Sequence, residues 1–112
     1  MANARRGEIA ATLGGKPRRL VLTLGALAEL EAGFGVEGLA GLGERFATGR
    51  LAARDLAAII GAGLRGAGEA ITDAEAAALT HPDGLPGYVA TVAALLVATF
   101  GEGAPQGDPV RP

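Results

Sequence analysis

The chain contains no cysteine, no tryptophan and no serine. Histidine, lysine, tyrosine, asparagine and glutamine occur once each in 112 residues. Without cysteine there is no disulfide and no thiolate nucleophile. With His81 as the lone imidazole, a structural zinc site has almost no ligands. Without serine, hydroxyl–histidine triads lose their usual nucleophile. The absence of thiols suits a reducing compartment. A long hydrophobic run is also missing. The longest uncharged stretch, Gly84 to Gly101, is interrupted by Pro86 and Gly87. Its apolar part, Tyr88 to Phe100, would span about 20 Å as a helix against a hydrocarbon core of ~30 Å. A buried core helix is the expectation, with no membrane partner. Arg5 and Arg6 are followed by Glu8 and by no apolar run, so no signal peptide is read.

What is present is mostly small. Alanine (25) and glycine (19) supply 44 of the 112 residues, and only four residues are aromatic. Such a chain makes one small domain with a thin core, which gains stability from a partner. The net charge of −2 hides an asymmetry: residues 1–19 sum to +4 and residues 20–112 to −6. Nucleic-acid binding needs a dense basic face, usually with interleaved aromatics. Here the basic residues surround a hairpin and no aromatic lies among them, so they read as a solvated edge and no nucleic-acid partner is expected.

Residues 7–24 read as a β-hairpin turning at Gly14-Gly15, with Leu20-Val21-Leu22-Thr23-Leu24 as its second arm. A first helix is expected from Leu24 to Phe34, capped by Thr23, ended by Gly35, with Leu24, Leu27, Leu30 and Phe34 as its apolar face. A second spans about Glu37 to Thr48, with Val36, Leu39, Leu42 and Phe46 inward and Gly49 closing it. A third runs from Ala52 to Arg65 on Leu56, Ile59, Ile60 and Leu64, its end frayed by Gly61, Gly63, Gly66 and Gly68. The stripes of the first and third helices match in length and are expected to meet. Thr72-Asp73-Ala74-Glu75 fits a capping box before a short helix to Thr80. After a turn at His81–Gly84, a last helix reaches Phe100 with Val89, Val92, Leu96 and Phe100 on one stripe. Residues 1–100 therefore form an α+β domain, predominantly α, with an N-terminal hairpin packed on four to five helices. Residues 101–112 form a disordered tail.

Two motifs offer chemistry and neither carries it far. Gly61-Ala62-Gly63-Leu64-Arg65-Gly66 fits G-x-G-x-x-G, but the mechanism needs those glycines between a strand and a helix N-terminus. Here they follow helical periodicity, where carbonyls point outward and repel phosphate. No cofactor is expected. His81 sits in a Thr-His-Pro-Asp turn, near Asp83, which reads better as a helix cap. Asp73, Glu75 and Asp83 lie close in sequence, but acids are common in first turns. No catalytic or metal-binding residue is assigned, and no enzyme activity is expected.

A resemblance rests on a longer pattern. It comprises Arg6-Gly7-Glu8, the stretch Leu22-Thr23-Leu24-Gly25-Ala26-Leu27-Ala28-Glu29-Leu30-Glu31-Ala32-Gly33-Phe34-Gly35, then Leu39, Leu42, Arg45-Phe46, Gly49 and Asp55-Leu56, and finally the run from Ile59 to Gly68. Over residues 6 to 100 this order resembles the small gene-transfer-agent tail proteins grouped with phage tail assembly chaperones. The resemblance implies a protein encoded, in a prophage-like cluster, between the tail tube and tape measure genes of a siphovirus-like particle. It implies a chaperone in the cytoplasm of the producing bacterium that coats the tape measure protein in several copies and recruits tail tube protein. The alternative is a structural component of the virion tail. No catalytic residues come with the resemblance. A chaperone for an apolar-striped helix needs an apolar groove or a sheet edge. The hairpin edge, with Arg18, Arg19, Leu20 and Leu22, is the candidate partner-binding surface, and Lys16, Arg18 and Arg19 guard it against self-pairing.

Overall fold

The computed structural model describes residues 7–101. The order of elements is β1 (Glu8–Leu13), β2 (Lys16–Val21), α1 (Leu24–Phe34), α2 (Gly38–Ala47), α3 (Ala53–Gly66), α4 (Asp73–Ala77) and α5 (Gly84–Phe100). This is the expected α+β, predominantly helical architecture. The expected loose tail lies, from residue 102 onward, outside the described residues.

Local stereochemistry explains most element ends. Gly14 and Gly15 both take positive φ, 62° and 82°, as a two-residue hairpin turn between antiparallel strands requires. The turn is tied to the helical layer by Gly14 N–H, which donates to the Thr80 carbonyl at 2.8 Å. Thr23 caps α1 by accepting from the Ala26 amide at 3.1 Å, and Gly35 ends it in the left-handed region with φ 68°. The box at α4 forms in both directions, Glu75 N–H to Thr72 Oγ1 at 3.0 Å and Thr72 N–H to Glu75 Oε1 at 2.9 Å. At the start of α3 only the return half exists, Ala52 N–H donating to Asp55 Oδ2 at 2.8 Å.

The hairpin register sets which residues enter the core. Ile9 faces Leu20, Ala11 faces Arg18, and Leu13 faces Lys16, so these share one side of the pleat. Leu13 and Leu20 are fully buried there. The sheet lies on α3 and α5, and α1 packs on the other flank of α3. Leu42, Ile59, Leu64 and Leu95 are the other large side chains that are fully buried. All three phenylalanines are linked through Phe46. Phe46 stands edge-on to Phe34 at 5.4 Å and to Phe100 at 6.2 Å between centroids, a geometry that ring quadrupoles favour.

Four expectations need correction. Leu24 opens α1 and is 79% exposed, because the buried face of that helix is Ala26, Leu27 and Leu30. Leu39 on α2 also faces solvent, because that helix buries only Leu42 and Phe46 of the expected stripe, and Val89 on α5 does so because the buried side of that helix is Thr91, Val92, Leu95 and Leu96. Helix α4 ends at Ala77, short of Thr80. The third helix does not fray at its glycines. It stays helical to Gly66, with Gly61 and Gly63 buried. A Cβ on Gly63 would stand 2.8 Å from Leu95 Cδ2 and 3.1 Å from Leu20 Cβ, so this glycine is the notch where β2, α3 and α5 meet.

Not every helical glycine has such a role. Nothing approaches within 4 Å of a Cβ built on Gly43, inside α2. Gly43→Ala should therefore raise stability by about 0.5–1 kcal/mol through lower chain entropy in the unfolded state. A urea titration that finds equal or lower stability would mean α2 is not helical there.

Candidate functional site

Of the four hairpin residues expected to meet a partner, Leu20 (0% exposed) and Leu22 (6%) point into the core. Alternation places Leu20 on the helix-facing side of β2. Arg18 shares that side but runs its stem along the sheet and keeps its head at the margin. Its Nε donates to the Leu13 carbonyl at 2.7 Å, and Nη1 donates to Glu69 Oε1 at 2.6 Å. That ion pair joins the hairpin to the segment after α3. Arg19 lies on the outer face and is exposed. The structure thus brings Arg18, Leu20 and Leu22 to the fold's own interior contacts, and of the four it is Arg19 whose side chain is open to a partner.

A second polar centre was not legible in the sequence. Arg65, near the end of α3, reaches three partners at once. Nη2 donates to Glu29 Oε1 on α1 at 2.7 Å and contacts Asp73 Oδ1 on α4 at 2.9 Å, while Nη1 donates to the Ile71 carbonyl at 2.8 Å. The Glu29 hydrogen bond, with help from Asp73, holds the guanidinium above its ordinary value, and partial burial opposes the shift. The charged form of Arg65 is the bonded form, so raising the pH removes its contribution only in strong alkali. Arg65 is a clamp for α1, α3 and α4. Glu29 and Glu31 diverge as the helical spacing requires, and Glu29 alone joins the clamp.

The glycine motif serves packing. Gly61 leaves room for Asp73, Gly63 for Leu20 and Leu95, and Gly66 for the Val21 carbonyl. His81 lies against Gly87 and stands edge-on to Tyr88 at 5.9 Å. Its Nδ1 accepts from the Asp83 amide at 3.0 Å. Asp83 occupies the N-cap position of α5 without a side-chain cap bond. Tyr88 donates its hydroxyl to the Leu79 carbonyl at 2.7 Å. Among the described residues no group of histidine and acids is arranged to hold a metal ion.

The most distinctive surface is on α5. No charged residue occurs in its 17 positions. Leu85 is 64% and Val89 49% exposed, and Pro86, Ala90, Ala93 and Ala94 are exposed beside them. These form two adjoining rows at i, i+4 and i+8 along the solvent side. Next to them lies a depression of about 270 Å³ walled by Phe46, Leu51, Leu56 and Leu96, with no charged group in its lining. Single exposed apolar residues are ordinary, whereas a contiguous patch beside a concavity marks an interaction surface. Among the described residues no helix is long and apolar enough to cross a membrane.

No curated protein and no solved structure matches the chain. The family described as phage tail tube protein, GTA-gp10, matches residues 6–102, which takes in every described residue. The chain therefore belongs to the phage tail tube protein family GTA-gp10.

Proposed function

We propose that this chain is a non-enzymatic tail component that assembles with other tail proteins through the uncharged face of α5. The observation that carries the reading is Leu85 and Val89 held in water on a helix without one charge, beside an apolar depression. Leaving such a face solvated forgoes about 25 cal/mol for each Å² that a partner would cover. Membership of a tail tube family supports the tail as the place of assembly. Val89→Glu should exclude the protein from the tail fraction of purified particles, while the isolated variant melts within about 2 °C of the parent because the site is half-exposed. Normal incorporation of Val89→Glu would remove α5 from the interface.

A second reading is a tail assembly chaperone that binds the tape measure protein in several copies and brings tail tube protein to it. The apolar character of the α5 surface favours it equally, and Arg19 on the hairpin would add a basic rim. Such binding should persist at moderate salt, because buried apolar contacts are not screened. A mass-spectrometric inventory of purified particles separates the two. Stoichiometric presence supports the tail component. Absence from particles, with co-elution of tape measure fragments at low and high salt, supports the chaperone.

A further inference from the structure

A second concavity, of about 470 Å³, runs along α3 between α1 and α4. Its apolar lining is Leu30 and Phe34 from α1, Ala57 and Ala58 from α3, and Ala74 and Ala77 from α4. Small side chains on two of the three walls allow another backbone to approach closely. The ends of the groove carry opposite charge. At one end Glu29 and Asp73 share the single guanidinium of Arg65, leaving one net negative charge. At the other end stands Arg54, exposed and without an ion-pair partner among the described residues. The neighbouring carboxylate, Asp55, is already taken by Arg45 at 3.2 Å and by the Ala52 amide. Arg54 and Arg65 are eleven residues apart on α3, three turns on the same face and about 16 Å along the axis.

We infer that this groove receives an amphipathic α-helix from a partner protein, one with an apolar stripe flanked by a basic residue and an acidic residue about eleven positions apart. The basic side chain meets Glu29 and Asp73, and the acidic one meets Arg54. An open groove three turns long suits a helix, which covers it end to end, better than a small molecule, which would stay largely solvated. The acids Glu29, Asp55 and Asp73 outnumber Arg54 and Arg65, which disfavours a phosphate backbone. The inference stands on this groove and does not depend on the α5 contact, so either can fail alone.

The test uses synthetic helical 15-residue peptides with a Leu/Ala stripe, titrated into the whole chain at low salt by calorimetry. One carries Lys and Glu eleven apart, a second carries Gln at both positions, and a third carries Lys at both. The Lys/Glu peptide should bind saturably below about 1 mM, and the Gln/Gln peptide about fivefold more weakly. Arg54→Glu should weaken the Lys/Glu peptide about fivefold and strengthen the Lys/Lys peptide, since its repulsive end becomes attractive. Ala74→Trp, at an exposed wall position, should abolish binding of all three while its circular dichroism and melting match the parent. No saturable binding of any peptide overturns the proposal. So does binding that ignores the Arg54→Glu exchange, or that survives Ala74→Trp.

Discussion

Leu20→Ala should lower the unfolding free energy by about 2–5 kcal/mol, a large share of the total stability of a domain this size. Leu20 is fully buried and meets Gly63 of α3 on the inner side of the hairpin. Removing its isopropyl group leaves a space that neither strand nor helix can close. The hairpin is held by Gly14 to the Thr80 carbonyl and by Arg18 to Glu69, and the helices are fixed by their own contacts. Arg19→Ala, one position away but on the outer face, should change stability by less than about 0.5 kcal/mol. The pair is measured by urea denaturation followed by far-ultraviolet circular dichroism. Equal, small effects would mean that the register is shifted by one residue, which would turn every inward side chain of β2 outward. The contrast also governs how partner-binding assays are interpreted. A loss of binding in Leu20→Ala reports unfolding, whereas a loss in Arg19→Ala reports a surface contact.

The elements whose ends depend on neighbouring residues were legible in the sequence. Thr23, Gly35, the Gly14-Gly15 turn and the Thr72–Glu75 box each act over two to four residues, and each does in the fold what its chemistry requires. The side of a helix that becomes core depends on where other helices lie. Leu24, Leu39 and Val89 fit a helical stripe yet face water for that reason. The clamps are invisible for the same cause. Arg65 lies 36 residues from Glu29, and Arg18 lies 51 from Glu69. Nothing local marks either pair. The α5 surface was half-legible: the uncharged run was plain, but its length alone could not separate a buried helix from one that leaves one side in solvent. For the glycines of α3 a signal did exist. Alanine is the commonest residue of this chain and favours a helix over glycine by about 1 kcal/mol. Glycine kept at three positions of one helix, where alanine is so readily used, points to close approach.

Gly66 is where that approach is tightest. The last residue of α3 lies directly against the Val21 carbonyl at the end of β2, and a Cβ there would clash with the oxygen. The clashing atom is backbone, so no rotamer change relieves it. The chain must move β2 away from α3 or pull the end of α3 outward. Either shift disturbs Leu20 and Leu64, both fully buried, and Arg65, which holds Glu29 and Asp73. Gly66→Ala should therefore cost at least about 1–3 kcal/mol despite alanine's better helix propensity. The effect is opposite in sign to that of Gly43→Ala, which makes the same chemical change where nothing stands nearby. Thermal unfolding of the two variants beside the parent decides the matter. A rise for Gly43→Ala and a fall of at least about 4–8 °C for Gly66→Ala are expected. If Gly66→Ala melts at or above the parent temperature, α3 and β2 are not in contact at this point. The glycine run would then be a frayed helix end after all, and the clamp at Arg65 would lose the rigid base from which it holds α1 and α4.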